Sequence, residues 1–514
     1  MKNLPIGIQT FEKIINDNLL YIDKTKIIFE LIKNNNYFFL SRPRRFGKSL
    51  LLSTLKEIFS GNKELFKGLF IYDKIEWLKY PVIHLSMSDI KGTNNIATIF
   101  ESTFFMLKEQ ADKYNIIIDN FSHPALAFKF LIHELSKINK VVILIDEYDK
   151  PILDNITKPD YANLNKDFLK EFYSVIKDSD QYIKFVFLTG VSKFSKVSLF
   201  SGLNNLRDIT FDQEFSTICG CTPEELDYYF NNRYELTSDK LNLSIEELKT
   251  IIKLWYNGYS WDGIKRVYNP YSILNFFQLQ KFSNFWFTTG TPTFLVDKFI
   301  QDKISVNEII EDEVTEYFFE DFDTENIDYR LLLFQTGYLT IKSINTNLYK
   351  LHYPNKEVMD SYLTYIATVY LPKDADKINL SIIKINNYLS NKKYDDFFIT
   401  LKSLFASIPY MLKKDNEAYY HSIFYIIMLL MGADIEVEKI TSKGRIDGVI
   451  EYDDIIYIIE IKYLRTTNSI NKLLSAAINQ IKEKEYYMLY LAKNKQIKLI
   501  AIAINNNTLE YKIE

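Results

Sequence analysis

Gly47, Lys48 and Ser49 form a polar sequence between the apolar run 37–41 and a helical pattern. Backbone N–H groups at a helix N-terminus, with the positive end of the helix dipole, suit a polyphosphate. In this interpretation Lys48 reaches the β- and γ-phosphates and Ser49 ligates Mg²⁺. The pattern G-x-x-x-x-G-K-[ST] is incomplete, because Arg42 stands where its first glycine belongs.

Two acids, Asp146 and Glu147, follow the apolar run 141–145. In nucleotide-hydrolysing sites the first acid holds Mg²⁺ through its water shell, and the second orients and deprotonates the attacking water. The alternative is a pair of capping acids after a buried strand. Because both motifs occur in chain order, the sequence predicts an ATP site with Mg²⁺, in which Ser49 and Asp146 hold the metal and Glu147 is catalytic. The residues predicted to bind ATP are Arg45, Phe46, Gly47, Lys48, Ser49, Leu50 and Asp146.

Several further residues are candidates for contact with the phosphates. Arg42, Arg44 and Arg45 would bind phosphate oxygens through their guanidinium groups, with Arg45 favoured by its closeness to the glycine. The alternative is a solvated loop with local acidic partners. Thr189 ends an apolar run and is a candidate γ-phosphate sensor or a loop cap. Arg207 is a candidate arginine finger or a surface residue.

A second group of charged residues occurs in the predicted hairpin 441–465. A turn centred on its Asp-Asp pair places Asp447 opposite Glu460. Side chains alternate along a strand, so Lys462 shares the face of Glu460. Directly opposed Cβ atoms lie about 4.5–5.5 Å apart, and like charges at that distance destabilise a strand pair. The arrangement therefore requires a compensating cation.

A divalent metal with oxygen ligands fits this carboxylate pair. The carbonyl of Ile461 is a further candidate ligand. Lys462 would orient the attacking water or stabilise the charge that develops on a phosphate, which makes Asp447, Glu460 and Lys462 the candidate catalytic residues. The alternative is an exposed hairpin in which Lys462 simply neutralises Glu460.

Two flanking helical segments carry further candidates. Glu417 lies near the start of the apolar segment 416–431 and is a candidate metal ligand that could point toward the hairpin, or else it is an acid favoured by the helix dipole. Gln480 and Tyr486 lie in the segment after the hairpin. They are candidates for contact with nucleic-acid phosphates or bases, and helix–sheet packing is the alternative for Tyr486.

The elements that must position these residues follow an α/β pattern. The nearly uniformly apolar runs 37–41, 81–87, 141–145 and 183–190 alternate with helical stretches such as 96–113 and 124–139. This alternation predicts a right-handed parallel sheet. The fold class is therefore α/β, with an N-terminal phosphate-loop domain, a helical middle region and a C-terminal α/β domain. The predicted segments are 1–215, 216–285, 286–384 and 385–514.

The composition limits the classes of protein. The 514 residues carry 62 basic and 66 acidic side chains, a net charge of −4, which excludes a globally basic nucleic-acid coat but allows a local basic surface. Two cysteines cannot form a disulfide framework, and they cannot form a four-ligand zinc site without ligands from the five histidines. The N-terminal sequence has no apolar signal segment, and no apolar run reaches the roughly 20 residues of a membrane span. These features predict a soluble cytoplasmic protein without membrane contact.

Seven short motifs together resemble one bacterial family. They are SRPRRFGKSLLLS, VVILIDEYDKPI, FLTGVSKFS, LNNLRDIT, WYNGYSW, VYNPYSIL and QTGYLT. In number and order they are similar to those of proteins that fuse an AAA-ATPase-like domain to a PD-(D/E)XK nuclease-like domain, which has the restriction-endonuclease fold. The resemblance implies that Asp447 and Glu460 bind metal, that Lys462 is the catalytic lysine and that Glu417 is the upstream helix acid. Gln480 and Tyr486 match the pattern of the exonuclease-like branch. The family's proline before the first acid is absent, since Ile446 precedes Asp447.

The resulting functional prediction is an ATP-binding and ATP-hydrolysing protein whose C-terminal domain is a Mg²⁺- or Mn²⁺-dependent nuclease under nucleotide control. DNA is favoured over RNA as its partner, and a nucleotide-dependent homo-oligomer is expected. The alternative is an ATP-driven switch whose nuclease-like fold only binds nucleic acid or a partner protein. A scaffold without either activity is disfavoured by the intact sets of charged residues.

Overall fold

The computed structural model describes most of the chain and divides it into two compact units. The first unit comprises the described residues up to Met359, and the second comprises those from Asp360 onward. Only the backbone is described for 417–418, 434–441 and 445. The described residues are 1–33, 37–91, 94–193, 205–287, 295, 313–320, 328–371, 374–408, 417–432, 434–441, 444–464, 470–505 and 508–514.

A parallel five-stranded sheet forms the centre of the first unit. Its strand order is β2-β3-β4-β1-β5. Strands β1 and β3 are buried along their whole length, as the uniformly apolar runs predicted. The carboxyl ends of β1, β3 and β4 meet at one edge, where Ser41 pairs with Gly190. The strands are β1 (Tyr37–Ser41), β2 (Val82–Ser86), β3 (Val141–Asp146), β4 (Ile183–Gly190) and β5 (Leu206–Asp208).

Helices connect the strands of this sheet. The predicted helices at 96–113 and 124–139 are confirmed, although they end earlier, at Asp112 and Ser136. Short 3₁₀ helices span Lys63–Phe66, Met87–Asp89 and Asp180–Tyr182. The α-helices are α1 (Phe11–Asn16), α2 (Thr25–Lys33), α3 (Lys48–Phe59), α4 (Ile96–Asp112), α5 (Pro124–Ser136), α6 (Lys150–Leu153) and α7 (Pro159–Asp178).

Three helices follow: α8 (Pro223–Leu241), α9 (Ile245–Tyr256) and α10 (Pro270–Leu279). Helix α8 begins with a capping box, in which Thr222 accepts from the backbone of Glu225 and the Glu225 side chain accepts in return from the backbone of Thr222. The three helices enclose an apolar cluster that includes Phe230, Ile252 and Phe276. This helical region packs as a continuation of the first unit.

The remaining described part of the first unit contains a small antiparallel sheet in the order β6-β8-β7. The sequence did not predict this sheet, because its strands are short and largely exposed. Helix α12 crosses the boundary between the two units. The elements are β6 (Glu313–Thr315), a 3₁₀ helix (Glu316–Phe319), α11 (Tyr329–Thr336), β7 (Thr340–Asn345), β8 (Leu348–His352) and α12 (Lys356–Tyr370).

A mixed five-stranded sheet organises the second unit, in the order β13-β12-β11-β10-β9. Strands β11 and β12 are parallel and are connected through helix α16, which packs against both, whereas the other neighbouring pairs are antiparallel. The elements are α13 (Ala375–Ser390), α14 (Tyr394–Ala406), α15 (Glu417–Met431), β9 (Asp434–Thr441), β10 (Gly444–Glu451), β11 (Ile455–Tyr463), α16 (Ile470–Glu483), a 3₁₀ helix (Tyr486–Lys493), β12 (Gln496–Ile504) and β13 (Leu509–Ile513).

The α/β fold class is confirmed by these two sheets and the helices around them. In the described part of the chain, no helix combines the length and the apolar character needed to cross a bilayer. The four predicted segment boundaries stay predictions, since the division into two units is coarser.

Candidate functional site

The loop between β1 and α3 has the backbone geometry of a phosphate cradle. Gly47 precedes the first residue of α3 with φ of 93°, in the left-handed region. A Cβ at Gly47 would meet no atom within 4 Å, so the backbone conformation, and not lack of space, favours glycine there. The first N–H groups of α3 are thereby presented at the carboxyl edge of the sheet, where ligands bind in open α/β folds.

The Lys48 side chain is buried beside this loop. Its Nζ donates to the carbonyl oxygens of Arg42 at 2.8 Å and Pro43 at 2.9 Å. Burial lowers the pKa of Lys48, and the nearby carboxylates of Asp146 and Asp149 oppose that effect. The lysine is therefore held within the loop, close to the acids that end β3.

A cavity of about 400 Å³ opens at this edge of the sheet, which is within the range of small-molecule sites. Basic and acidic groups both border it. The charged or polar residues among its lining include Arg44, Arg45, Lys48, Ser49, Glu147 and Asp149. The structure therefore brings both halves of the predicted nucleotide site to one cavity.

The two predicted acids differ in their surroundings. Asp146 is buried, and its Oδ1 accepts from the backbone N–H of Glu147 at 2.9 Å. Glu147 adopts a left-handed φ of 49° and is only half-buried. Burial, and next the charge of Asp146, raise the pKa of Glu147, while Lys48 opposes this. A carboxylate with a raised pKa is suited to accept a proton from water.

Asp149 is a site residue that the sequence reasoning missed. It is buried, and its carboxylate accepts from the backbone N–H of Val191 at 3.0 Å and of Ser192 at 2.6 Å, and from the Ser192 hydroxyl. A Cβ at Gly190 would lie 2.4 Å from Asp149 Oδ1. Asp149 thus fixes the end of β4 against the acids that follow β3. In the sequence, the only indication that Asp149 belongs to the site is its position two residues after Glu147.

The three arginines of the loop are placed differently. Arg44 and Arg45 line the cavity, and the Arg45 guanidinium lies 5.1 Å from the ring centre of Tyr271. Arg42 is fully buried against Trp261 and is not part of the cavity lining. Direct phosphate contact by Arg42 is therefore not supported by its placement.

The predicted sensor and finger make contacts within the fold. Thr189 is buried and donates from Oγ1 to the carbonyl of Leu40 at 2.9 Å, which ties β4 to β1. Arg207 forms an ion pair with Asp212 at 2.5 Å and lies over the ring of Phe215. Both functional roles stay predictions, since these contacts suffice to explain the two side chains locally.

A second, apolar pocket of about 100 Å³ adjoins the phosphate loop. It shares Gly47 and Leu50, at the start of α3, with the polar cavity, together with Pro5, Pro270 and Leu274, so the two spaces adjoin. Phe46 is buried and packs edge-on against Tyr259, with ring centres 4.7 Å apart. Among the other residues that line the apolar pocket are Ile22, Ile28, Cys219, Cys221, Phe230 and Ile273.

In the second unit, the predicted hairpin register is confirmed. Gly448 pairs with Ile459 and Val449 with Ile458, which is the predicted register, and Asp447 and Glu460 lie one position beyond the end of this ladder. The turn falls between β10 and β11, where it was expected. Asp447 Oδ2 accepts from the backbone N–H of Ile461 at 2.7 Å, so this carboxylate is anchored at the strand pair.

Glu460 is the most constrained acid of this group, with 2% of its surface exposed. Its Oε1 accepts from Lys462 Nζ at 2.8 Å and from Gln480 Nε2 at 2.5 Å. Its Oε2 is buried and has no hydrogen-bond partner among the described residues. Burial, and next the charge of Asp447, raise the pKa of Glu460 to about 7, against the opposing effects of Lys462 and Gln480.

Gln480 and Tyr486 are placed by two successive elements. Gln480 lies on α16, which ends at Glu483, and Tyr486 begins the 3₁₀ helix after Glu485 adopts a left-handed φ of 52°. Tyr486 is buried in the apolar cluster of this unit and hydrogen-bonds with Gln480. A Cβ at Gly444 would lie 2.7 Å from the Tyr486 hydroxyl, so this glycine permits the close approach. The structure gives Tyr486 a packing role, and its contact with nucleic acid stays a prediction.

Glu417, the third predicted acid, begins α15, and its side chain lies outside the described residues. Among the side chains that the structure describes, no group of three or more His, Cys, Asp or Glu residues has the arrangement of a metal site. The described carboxylates of the candidate metal site are thus the pair Asp447 and Glu460.

Comparison with known proteins decides the family. Residues 5–200 match a family described as a predicted AAA-ATPase, and residues 415–514 match the PD-(D/E)XK nuclease superfamily. An uncharacterized protein in the vnfD 5′ region of Azotobacter chroococcum mcd 1 is 38% identical over 524 residues, covering 99% of this chain and 97% of that protein. The chain belongs to the family that joins these two domains. The resemblance inferred from the seven motifs is confirmed.

The residues of this AAA-ATPase-like PD-(D/E)XK protein suit a divalent metal in the second unit. A buried carboxylate oxygen without a partner, Glu460 Oε2, requires a cation or a proton. The described donors are carboxylate oxygens, which favour hard ions such as Mg²⁺ or Mn²⁺. Ile461 contributes its N–H to Asp447, and a metal contact by its carbonyl stays a prediction.

Proposed function

We propose that the first unit binds and hydrolyses ATP with Mg²⁺, and that the second unit is a metal-dependent nuclease controlled by the nucleotide state of the first. The observation that carries the nuclease half is the buried, unpartnered Glu460 Oε2 beside Asp447 and Lys462. The observation that carries the ATP half is the pair of adjoining spaces, one polar and one apolar, that share Gly47 and Leu50.

A nucleoside triphosphate has the two chemical parts that these spaces would accept. The backbone at Gly47 and the ammonium of Lys48 would bind its phosphates, and the apolar pocket would take its base. Ser49 and Asp146 would hold Mg²⁺, which neutralises phosphate charge. Glu147, with its raised pKa, would accept the proton of the attacking water.

In the second unit, Asp447 and Glu460 would hold the divalent metal. When bound, such an ion supplies an activated water and neutralises charge during phosphodiester hydrolysis. Lys462 is positioned by its 2.8 Å contact with Glu460, so its ammonium would stabilise the negative charge that develops on the phosphate. Gln480 keeps Glu460 oriented through its amide N–H.

We further propose that DNA is the preferred substrate and that ATP promotes self-association of the chain. With a net charge of −4, affinity for DNA would come from a local surface and would fall as the salt concentration rises. The cytoplasmic location stays a prediction.

The test is cleavage of labelled single- and double-stranded DNA and RNA with Mg²⁺ or Mn²⁺, with and without ATP. Lys462→Ala should abolish cleavage. Lys495→Ala is the matched control, because Lys495 also forms a 2.8 Å ion pair with a glutamate in this unit and has similar exposure. Lys48→Ala should abolish ATP binding and change the response of cleavage to ATP.

Two results would contradict the proposal. Equal cleavage by the wild type and Lys462→Ala would locate any observed nuclease activity elsewhere. Absence of cleavage by the wild type with every metal, substrate and nucleotide would favour a nucleotide-dependent binding protein over a nuclease.

A further inference from the structure

Arg42 occupies the position at which the phosphate-loop pattern has its first glycine. The side chain is fully buried. The backbone of Arg42 does not adopt the positive φ that favours glycine, whereas Arg45 and Gly47 do, at 67° and 93°. The loop therefore has no conformational need for glycine at this position, and the arginine side chain must be explained by its contacts.

The guanidinium of Arg42 connects three parts of the first unit. Its Nη1 donates to the carbonyl oxygens of Ser41 at 2.8 Å and Thr210 at 2.9 Å. The guanidinium lies over Trp261, with its central carbon 4.0 Å from the ring centre. The backbone N–H of Arg42 also donates to the carbonyl of Gly190 at 3.1 Å. The residue therefore contacts the end of a strand, a loop and the helical region.

A buried cation at this position is energetically costly. Burial lowers the pKa of Arg42 to about 10, and Nε and Nη2 have no hydrogen-bond partner in the described part of the chain. An apolar side chain of similar size would fill the same volume without this desolvation cost. What arginine adds is a planar cation that can stack on an aromatic ring and donate to carbonyl oxygens at the same time.

The carbonyl groups next to that cation hold Lys48. Lys48 Nζ donates to the carbonyl oxygens of Arg42 and Pro43. Pro43 is fixed from its other side by Gly337, where a Cβ would come within 2.7 Å of the proline ring. Trp261 contacts both ends of the loop, since it also lies edge-on to Phe46 at 5.4 Å. The position of the Lys48 ammonium thus depends on residues 42 and 43 being fixed.

We propose that Arg42 is a positioning residue for Lys48: stacked on Trp261, its guanidinium fixes the carbonyl groups of residues 42 and 43 that orient the lysine for phosphate binding. This inference rests on the proposed binding of ATP at the loop. The buried Arg42 side chain would thus fix the loop in a sequence that lacks the first glycine of the phosphate-loop pattern. Arg42 acts through Lys48 and does not touch the nucleotide.

The test uses the full chain with Arg42→Met, which keeps the volume, Arg42→Lys, which keeps the charge, and Arg42→Gly, which completes the glycine pattern. ATP dissociation constants are measured by calorimetry, and KM and kcat for ATP hydrolysis are measured at a temperature where circular dichroism shows each variant folded. We expect Arg42→Met and Arg42→Gly to weaken ATP binding by about tenfold to a hundredfold, the effect of losing a charge-assisted hydrogen bond. Arg42→Lys should recover part of the affinity.

Two further measurements separate positioning from packing. Added methylguanidinium should restore ATP binding to Arg42→Gly but not to Arg42→Met, whose side chain fills the space. Arg266→Met is the matched control, because Arg266 also donates to backbone carbonyl groups, those of Ile341 at 2.6 Å and Lys342 at 2.5 Å, which do not belong to the phosphate loop. It should bind ATP as the wild type does.

The inference is overturned if folded Arg42→Met or Arg42→Gly binds ATP within about twofold of the wild type. If neither variant folds, Arg42→Lys and Trp261→Phe decide: wild-type affinity in both overturns the inference, and weaker binding in both supports it. Failure of the proposed function is distinguishable, because then the wild type and Lys48→Ala would show equal and negligible ATP binding, which would also overturn the inference.

Discussion

Replacing Glu460 by glutamine is expected to abolish cleavage and to stabilise the second unit. Glutamine has the same shape, and its Oε1 can keep the contacts from Lys462 and Gln480. Its amide nitrogen would stand in place of Oε2, which already lacks a partner among the described residues. The substitution therefore removes mainly the negative charge that is buried beside Asp447.

The size of the effect follows from the pKa of Glu460, which is raised from 4.5 to about 7. Because folding favours the protonated form, ionisation removes stability as the pH rises from about 4.5 to about 7, and the loss is complete above that window. One pKa unit is worth about 1.4 kcal/mol, so the ionised carboxylate costs about 3 kcal/mol at pH 8. The variant should be more stable than the wild type by up to that amount at pH 8 and equally stable near pH 4.5.

Scanning calorimetry of the full chain at several pH values would measure the difference. For a domain of about 150 residues, roughly 3 kcal/mol raises the midpoint of the transition of this unit by about 6–12 °C. Mg²⁺ should stabilise the wild type, which binds it in the folded state, and leave Glu460→Gln unchanged. Glu451→Gln is a control of opposite sign, because Lys493 and Lys495 lower the pKa of Glu451.

One outcome would refute this reasoning. If Glu460→Gln melted at or below the wild-type temperature at pH 8, or if the difference were the same at pH 5 and pH 8, the ionised carboxylate would not be destabilised by burial and by Asp447. A stabilising effect of Mg²⁺ on the glutamine variant equal to that on the wild type would place the metal elsewhere.

Three further substitutions test other parts of the structure. Lys48→Met should abolish ATP binding in a filter-binding assay yet leave thermal stability equal or higher, because a buried ammonium is removed. Asp149→Ala should destabilise the first unit by about 2–4 kcal/mol in urea unfolding, because alanine offers no acceptor to the Val191 and Ser192 N–H groups and the Ser192 hydroxyl; an unchanged midpoint would contradict this. Gly444→Ala should impair cleavage and lower the melting temperature of the second unit, because its Cβ would overlap the Tyr486 hydroxyl; wild-type behaviour would show that Tyr486 can move without consequence.

Local patterns predicted the elements and several residue contacts of this protein well. Uniformly apolar runs identified four strands of the parallel sheet, and the alternation of side chains across the Asp453–Asp454 turn gave the register that places Asp447 opposite Glu460. These features depend on residues that are close in the chain, so a short segment of sequence is enough to predict them.

The sequence was least informative where a residue's role depends on distant partners. The sequence predicted that Arg42 binds phosphate. In the structure its guanidinium instead contacts Trp261 and the carbonyl of Thr210. Asp149 had no assigned role until the end of β4 was brought against it. The short, exposed strands of the β6-β8-β7 sheet carried too weak an apolar alternation to be predicted.

The amino-acid sequence by itself determined the family, the α/β class and the residue types that make each candidate site, because motif order and side-chain periodicity are local properties. Only the tertiary structure decided the electrostatics: which acid loses its solvent, which cation is buried without contacting the cavity, and which oxygen, Glu460 Oε2, is left without a donor. Burial and hydrogen bonding are sums over neighbours that the fold brings from distant parts of the chain, and those sums set the charge state on which the proposed chemistry depends.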